Sequence, residues 1–192
     1  MAINLKPLYE QCVVITGATS SIGLATARRV AKSGARVVLV ARNEEALQEE
    51  ASSLRRERRR VAICVADIAD DDFAQRVGSV AEEEFGGFDS WVNNAATSLF
   101  ADLADVTMEE HQRVFDVGYF GTVRGSLYGA EQLRERGGGA IINVGSVLGD
   151  RSVLLQGPYC AMKSAVHGFT DTLRMELERD NASISVTTIK PN

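Results

Sequence analysis

The sequence predicts an α/β domain built on a doubly wound parallel sheet, and three observations carry that expectation. Short β-branched runs alternate with longer helical patterns from end to end. The first three of those runs are almost continuously apolar, as parallel strands covered on both faces must be. A turn of small residues follows the first run and opens directly into a helix.

Taken in order, the first strand is expected at Cys12–Thr16, with a helix from about 22 to 33. The second strand, Arg36–Ala41, leads into a helix whose start is marked by Asn43 as N-cap ahead of Glu44 and Glu45. Acids suit the positive end of a helix dipole, and Arg55, Arg56, Arg58, Arg59 and Arg60 supply cations at the other end. In an acidic chain that arginine run reads as a solvated helix end rather than a phosphate patch. The third strand is expected at 61–65 and the fourth at 88–92. Thr107 with Glu110 makes a capping box and opens a long helix to about residue 136, broken by glycines 137–139. The fifth strand is expected at 140–144. A helix after Pro158 places Met162, Val166, Phe169, Leu173 and Leu177 at three- and four-residue spacing. Ile184–Ile189 reads as the sixth strand.

Composition narrows the function classes. The 192 residues are 45% hydrophobic and 24% charged with a net charge of −5, which excludes disorder and argues against a nucleic-acid surface. Three cysteines make no disulfide framework, no CxxC pair is present, and no metal site is expected. The first ten residues hold no apolar signal core. The longest uncharged stretch, 11–27, is broken by Gly, Ser and Thr, unlike a membrane span. A cytoplasmic protein of one domain, residues 1–192, is expected, with neither a membrane nor a nucleic-acid partner.

The turn after the first strand runs from Gly17 through Thr19, Ser20, Ser21 and Ile22 to Gly23. Small residues there let the backbone approach a pyrophosphate whose charge then sits at a helix N-terminus. The spacing is not GxGxxG, so position in the α/β chain carries the argument. A NAD site would place an acid after the second strand to hold the ribose 2′-hydroxyl; here the residue is Arg42, whose guanidinium suits a 2′-phosphate. NADP is therefore the expected cofactor and NAD the alternative, because Glu44 and Glu45 could serve a NAD ribose.

Tyr159 and Lys163 lie four residues apart on one helix face. Bringing a phenol from a pKa near 10 to neutrality takes about 4 kcal/mol, roughly the Coulomb energy of a cation ~4 Å away at an effective dielectric of 20. Ser146 follows the fifth strand, at the carboxyl edge where ligands sit in open α/β sheets. It is no hydrolase nucleophile, since Val144 replaces the first glycine of G-x-S-x-G. His111 and His167 show no tie to it and read as structural or solvated.

These marks together resemble the short-chain dehydrogenase/reductase family over essentially the whole chain: Gly17 to Gly23, Asp67, Asn93-Asn94-Ala95, Ser146, and Tyr159 with Lys163. The resemblance implies a Rossmann sheet with NAD(P) along its carboxyl edge and oxidoreductase chemistry on a carbonyl or alcohol. Tyr159 would exchange the proton, Ser146 would hold the substrate oxygen, and Lys163 would bind the nicotinamide ribose and lower the tyrosine pKa. The turn residues would carry the pyrophosphate, and Asp67 and Asn93 would lie near the adenosine half. Arg42, Ile68, Ala95 and Pro191 complete the expected cofactor contacts, together with Tyr159 and Lys163. A homo-oligomer through helices 107–136 and 158–180 is implied as well.

The chain also departs from the family pattern. Ser21 replaces a glycine of the turn, Ala96 replaces the last glycine of Asn-Asn-Ala-Gly, and Asn192 follows Pro191 in place of glycine. Gly118 stands where the family has an asparagine that anchors a water leading from the lysine to solvent. Gly118, Gly121, Gly125 and Gly129 share a helix face, which calls for close packing against the sheet or against a partner helix. The chain stops after the sixth strand, so a shortened form without the family's seventh strand and substrate lid is expected. Alongside the enzyme, the alternative is a catalytically weak dinucleotide-binding or interaction protein that keeps the fold.

Overall fold

Six strands, β1 (Cys12–Thr16), β2 (Arg36–Ala41), β3 (Arg60–Val65), β4 (Ser90–Asn93), β5 (Gly139–Val144) and β6 (Ile184–Ile189), form one parallel sheet in the order β3-β2-β1-β4-β5-β6. This computed structural model describes residue 3 and residues 5–191. The expected six-stranded doubly wound sheet is present. Strand order reverses between β1 and β4, and a crevice opens there at the carboxyl ends of the strands.

Alternation along each strand sorts the side chains between two cores. Val13, Ile15, Val37 and Leu39 face Ala27 and Ala31 of α1 (Ser21–Lys32) and Leu47 and Leu54 of α2 (Glu44–Arg56). Val14, Val38, Val40 and Ala62 share the opposite core with α3 (Phe73–Phe85), α5 (Gly121–Glu135) and α6 (Gly157–Arg179). At its centre the fully buried Trp91 meets the rings of Phe88, Tyr128 and Phe73 at centroid distances of 5.2, 5.9 and 6.4 Å. The sequence marks no boundary for α3; its C-cap is Gly86 in the left-handed region. The other caps are as expected. Asn43 accepts from the Ala46 N–H, and Thr107 and Glu110 form the capping box.

The long helix expected over 107–136 is present as one helical run over 108–135, with a π turn inside it. It divides into α4 (Met108–Phe115), a π turn at Asp116–Phe120, and α5. The π turn is packed closely from α6. A Cβ added at Gly118 would lie 2.5 Å from both Sδ and Cε of Met162 on α6, so the α6 side chain occupies the space the turn vacates. The Gly118 carbonyl accepts from Thr122 Oγ1 at 2.8 Å. Further along the stripe, Gly121 backs onto Ile68, and Gly125 and Gly129 back onto Trp91. The glycine face is thus filled by the chain's own sheet and α6, and it supplies no argument for a partner helix. Four strand ends also shift, with Gly139 joining β5 and Asn93 joining β4. Arg60 joins β3, and β4 begins at Ser90, preceded by Asp89, whose carboxylate accepts from Lys6 Nζ at 2.6 Å and from the Cys12 N–H at 2.7 Å.

Candidate active site

The crevice floor starts where β1 ends. Gly17 has φ +66°, and a Cβ there would lie 2.8 Å from Asn94 Nδ2 and 2.9 Å from Ala95 Cα, so a side chain is excluded twice over. Asn94 clamps the turn from β4, donating through Nδ2 to the carbonyls of Thr16 (3.0 Å) and Gly17 (3.2 Å). Its backbone N–H and that of Ala95 donate to Thr16 Oγ1. The Ser20 hydroxyl donates to the Gly17 carbonyl at 2.8 Å instead of capping α1. The first-turn amides of α1 therefore meet the crevice at the positive end of a 12-residue helix, a fitting seat for a pyrophosphate.

From this floor the crevice spreads into two lobes that share Ser20, Ala96 and Thr97. One, about 550 Å³, is lined by Gly17, Thr19, Arg42, Asp67, Ile68, Ala95 and Arg113. The other, about 460 Å³, is lined by Ser21, Ile22, Ser146, Tyr159, Lys163 and Pro191. Among the expected cofactor and catalytic residues, these walls gather all but two. Gly23 lies buried beneath the turn, against the Gly17 carbonyl. Asn93 is the clear correction. Instead of lying near the adenosine half it is buried in the core, where Nδ2 donates to Ser126 Oγ (3.0 Å) and Asn143 Oδ1 (2.9 Å), and Oδ1 accepts from Trp91 Nε1 (2.8 Å). Asn143 in turn donates to Thr170 Oγ1 at 2.9 Å. Asn93 thus ties β4 to α5, β5 and α6.

The first lobe is held by charge. Asp67 accepts from the Ala69 N–H at 3.0 Å and from Arg113 at 2.7 Å, and Arg42 stands 3.8 Å away. Burial works to raise the Asp67 carboxyl, but that N–H and the two guanidinium groups outweigh it and hold the group below the usual carboxylate range. Sequence reasoning found Asp67 and Arg42 but missed Arg113. It reaches Asp67 across 46 residues of chain from α4, and no local spacing marks it.

The second lobe is held by burial. Lys163 is only 3% exposed, and its Nζ donates to the Val144 carbonyl at 2.6 Å while lying 5.6 Å from the Tyr159 ring centroid. Desolvation lowers its pKa to about 8. Burial raises the Tyr159 phenol above its ordinary value, with the Ser146 hydroxyl pulling the other way. Lys163 thus stands over the phenol ring with one N–H given to the Val144 carbonyl, and in this arrangement burial is the larger influence on the phenol. Ser146 accepts from the Leu148 N–H through Oγ at 3.1 Å. Its own N–H donates to His167 Nε2 at 3.4 Å, a tie the sequence reading did not see. Ser21, in the glycine's place, is an exposed part of this wall and crowds nothing in the turn.

Among the described residues no helix is long and apolar enough to cross a membrane, and no three His, Cys, Asp or Glu side chains cluster as metal ligands. All three cysteines are free and buried, and desolvation pushes the Cys12 thiol up to about 12.

The short chain dehydrogenase family model matches residues 11–192. The chain is 45% identical over 190 residues to the uncharacterized oxidoreductase YxnA of Bacillus subtilis, covering 98% of this chain and 53% of that protein, about half its length. An uncharacterized oxidoreductase of Staphylococcus aureus (strain USA300) is 32% identical over 184 residues, which span 96% of this chain and 78% of the relative. Among solved structures, L-sorbose reductase from Gluconobacter frateurii, complexed with NADPH and L-sorbose, superposes with a TM-score of 0.89 at 33% identity, over 100% of this chain and 72% of that one. A short chain dehydrogenase/reductase from Burkholderia phymatum in complex with NAD gives 0.94 at 28% identity, over 97% and 67%.

Proposed function

The chain belongs to the short chain dehydrogenase family, and from that premise we propose that it is a nicotinamide-dinucleotide oxidoreductase acting on the carbonyl or secondary alcohol of a small molecule, with NADP preferred over NAD. One observation carries the reading: Ser146, Tyr159 and Lys163 line a single lobe that runs into an uncapped helix N-terminus. When bound, the nicotinamide supplies or accepts the hydride.

The residues divide the remaining work. The Ser146 and Tyr159 hydroxyls hold the substrate oxygen from the lobe wall. Burial keeps the Tyr159 phenol protonated at neutral pH, the state required of an acid that gives its proton to a carbonyl oxygen during reduction. Lys163 anchors to the Val144 carbonyl with one N–H, leaving two for the cofactor ribose and phenol side of the lobe. The α1 N-terminus holds the pyrophosphate, and Arg42 at the rim of the first lobe meets a 2′-phosphate with a charge-assisted pair.

Support for the NADP preference lies in the stretch from Arg36 to Arg42, which has no acid to hold a free 2′-hydroxyl. Ketoses are the first substrates to try, since the sorbose reductase is 33% identical. A second reading, a dinucleotide-binding protein of little turnover, draws on Met162 filling the space where a side chain at 118 would stand.

Titrating nucleotide fluorescence with NADPH and NADH tests the cofactor, with at least tenfold tighter NADPH binding expected from one charge-assisted pair of about 1.5–3 kcal/mol. Following NADPH absorbance against a panel of ketoses and simple ketones tests the chemistry. Turnover with one of them is expected; tight NADPH binding with no turnover across the panel favours the second reading, and equal or tighter NADH binding removes the role of Arg42.

A further inference from the structure

Next to the second lobe but outside its lining, His167, Asp150 and Lys190 form a small polar chain joined to the Ser146 backbone. His167 is on α6, one turn after Lys163, with a side chain only 12% exposed. Its Nδ1 lies 3.2 Å from Asp150 Oδ1, and Asp150 is gripped by Lys190 Nζ at 2.8 and 2.7 Å. Its Nε2 faces the Ser146 N–H. Gly145 and Gly149, which bracket Ser146, both lie flat against the imidazole, with no room for a side chain at either. Ser164 Oγ fastens the same loop by donating to the Gly149 carbonyl at 2.6 Å.

These contacts fix the tautomer. A backbone N–H can only donate, so Nε2 must keep its lone pair; the ring proton therefore sits on Nδ1 and is given to Asp150. Lys190 holds Asp150 in the orientation that receives it. A second proton on Nε2 would set two donors face to face and push the Ser146 backbone off the ring.

We propose that His167 is a positioning residue: as the neutral Nδ1–H tautomer it sets the backbone of Ser146, and through it the hydroxyl that holds the substrate oxygen, and its protonation switches that hydroxyl out of register. The catalytic part of the proposal rests on the oxidoreductase reading above. The charged groups facing the ring are Asp150 from the turn after β5, Lys190 from the end of β6, and Lys163 from α6 itself. Burial and the two lysines hold His167 below the ordinary histidine value against the pull of Asp150, so the neutral form prevails at neutral pH and the switch is thrown only in acid.

Two measurements on the full chain keep this inference separate from the reading it rests on. In the first, protein labelled with ¹⁵N at histidine and serine is titrated from pH 5 to 8 without cofactor. The expected result is an Nδ1–H tautomer for His167 and a Ser146 amide resonance that titrates with it. In His167→Gln, whose amide oxygen can still accept but carries no charge, the Ser146 amide should stop titrating. An Nε2–H tautomer, or a Ser146 amide that stays flat while His167 titrates, overturns the proposal.

In the second, NADPH-driven reduction of the best ketone in the panel is followed over the same range. The acid limb of kcat should follow His167 in the parent protein and vanish in His167→Gln. His167→Leu should hold kcat about tenfold below the parent's value at neutral pH, with no acid limb of its own and the NADPH Kd unchanged. An acid limb that survives in His167→Gln also overturns the proposal. If the amide tracks His167 but no variant reduces any ketone, the positioning stands and the carbonyl chemistry falls.

Discussion

The two lobes of the crevice solve the same problem, fixing polar groups at a sheet edge, by opposite means. The first keeps its charges wet. Arg42 has a side chain 67% exposed, Asp67 is shared between two guanidinium groups, and the cluster can be rearranged by an arriving phosphate at small cost. The second keeps its groups dry. Lys163 is desolvated to a pKa of about 8, Tyr159 is raised, and Ser146 is held through its backbone. Exposed charge selects a ligand and buried polarity prepares a reaction, so changes in the first lobe should move affinity, and changes in the second should move rate.

The sharpest attempt to break that division is Tyr159→Phe. It should lower kcat by about 10²–10⁴-fold, the usual worth of a positioned acid, while NADPH affinity stays within about twofold; stopped-flow reduction and fluorescence titration read the two separately. Next comes Asn93→Leu, which belongs to neither lobe. Removing its amide orphans Trp91 Nε1 and takes one bond each from Ser126 and Asn143, which keep their bond to each other, and should cost about 2–3 kcal/mol in urea unfolding. An unchanged unfolding midpoint with weakened NADPH binding would restore Asn93 to the cofactor site. Arg42→Ala should shrink the NADPH-over-NADH preference about tenfold, ~1.4 kcal/mol, without touching kcat.

The smallest effect is in pH. Because burial lowers Lys163 while raising Tyr159, the first group to lose its proton on the alkaline side is the lysine. Reduction should fall as pH rises through about 8, well before the phenol titrates. The same lowering acts on folding. Between about 8 and the ordinary lysine value of 10.5 the unfolded chain binds the extra proton, so this residue's contribution to stability rises with pH across that window. Lys163→Met should flatten both curves, as read by kcat profiles and by unfolding at pH 7 and 10.

Local chemistry was legible in the sequence wherever a residue acts on its own neighbourhood. The Asn43 cap, the Thr107–Glu110 box and the six β-branched runs are short-range signals; both caps stand where expected, and all six runs are strands, some with ends moved by one or two residues. So is the wall of the second lobe, because Tyr159 and Lys163 share a helix face and Ser146 follows a strand. Residues whose roles are set by partners far along the chain were illegible. Arg113 is defined by Asp67, His167 by Ser146, and the π turn packs against Met162 on another helix. Asn93 failed for the converse reason. Its motif has a neighbour, Asn94, that does clamp the crevice turn, while strand alternation sends Asn93 the other way, into the core.

The π turn at Asp116–Phe120 makes two positions prisoners of each other. Gly118→Asn alone would drive its Cβ into the thioether of Met162, which has no exposed surface into which to retreat. Met162→Ala alone would leave a void worth about 2–5 kcal/mol in the core beside Lys163. Any mutational path that gives this helix a polar side chain at 118 must therefore empty position 162 first and cross a weakened intermediate. The two substitutions together should cost far less than the sum of their separate penalties.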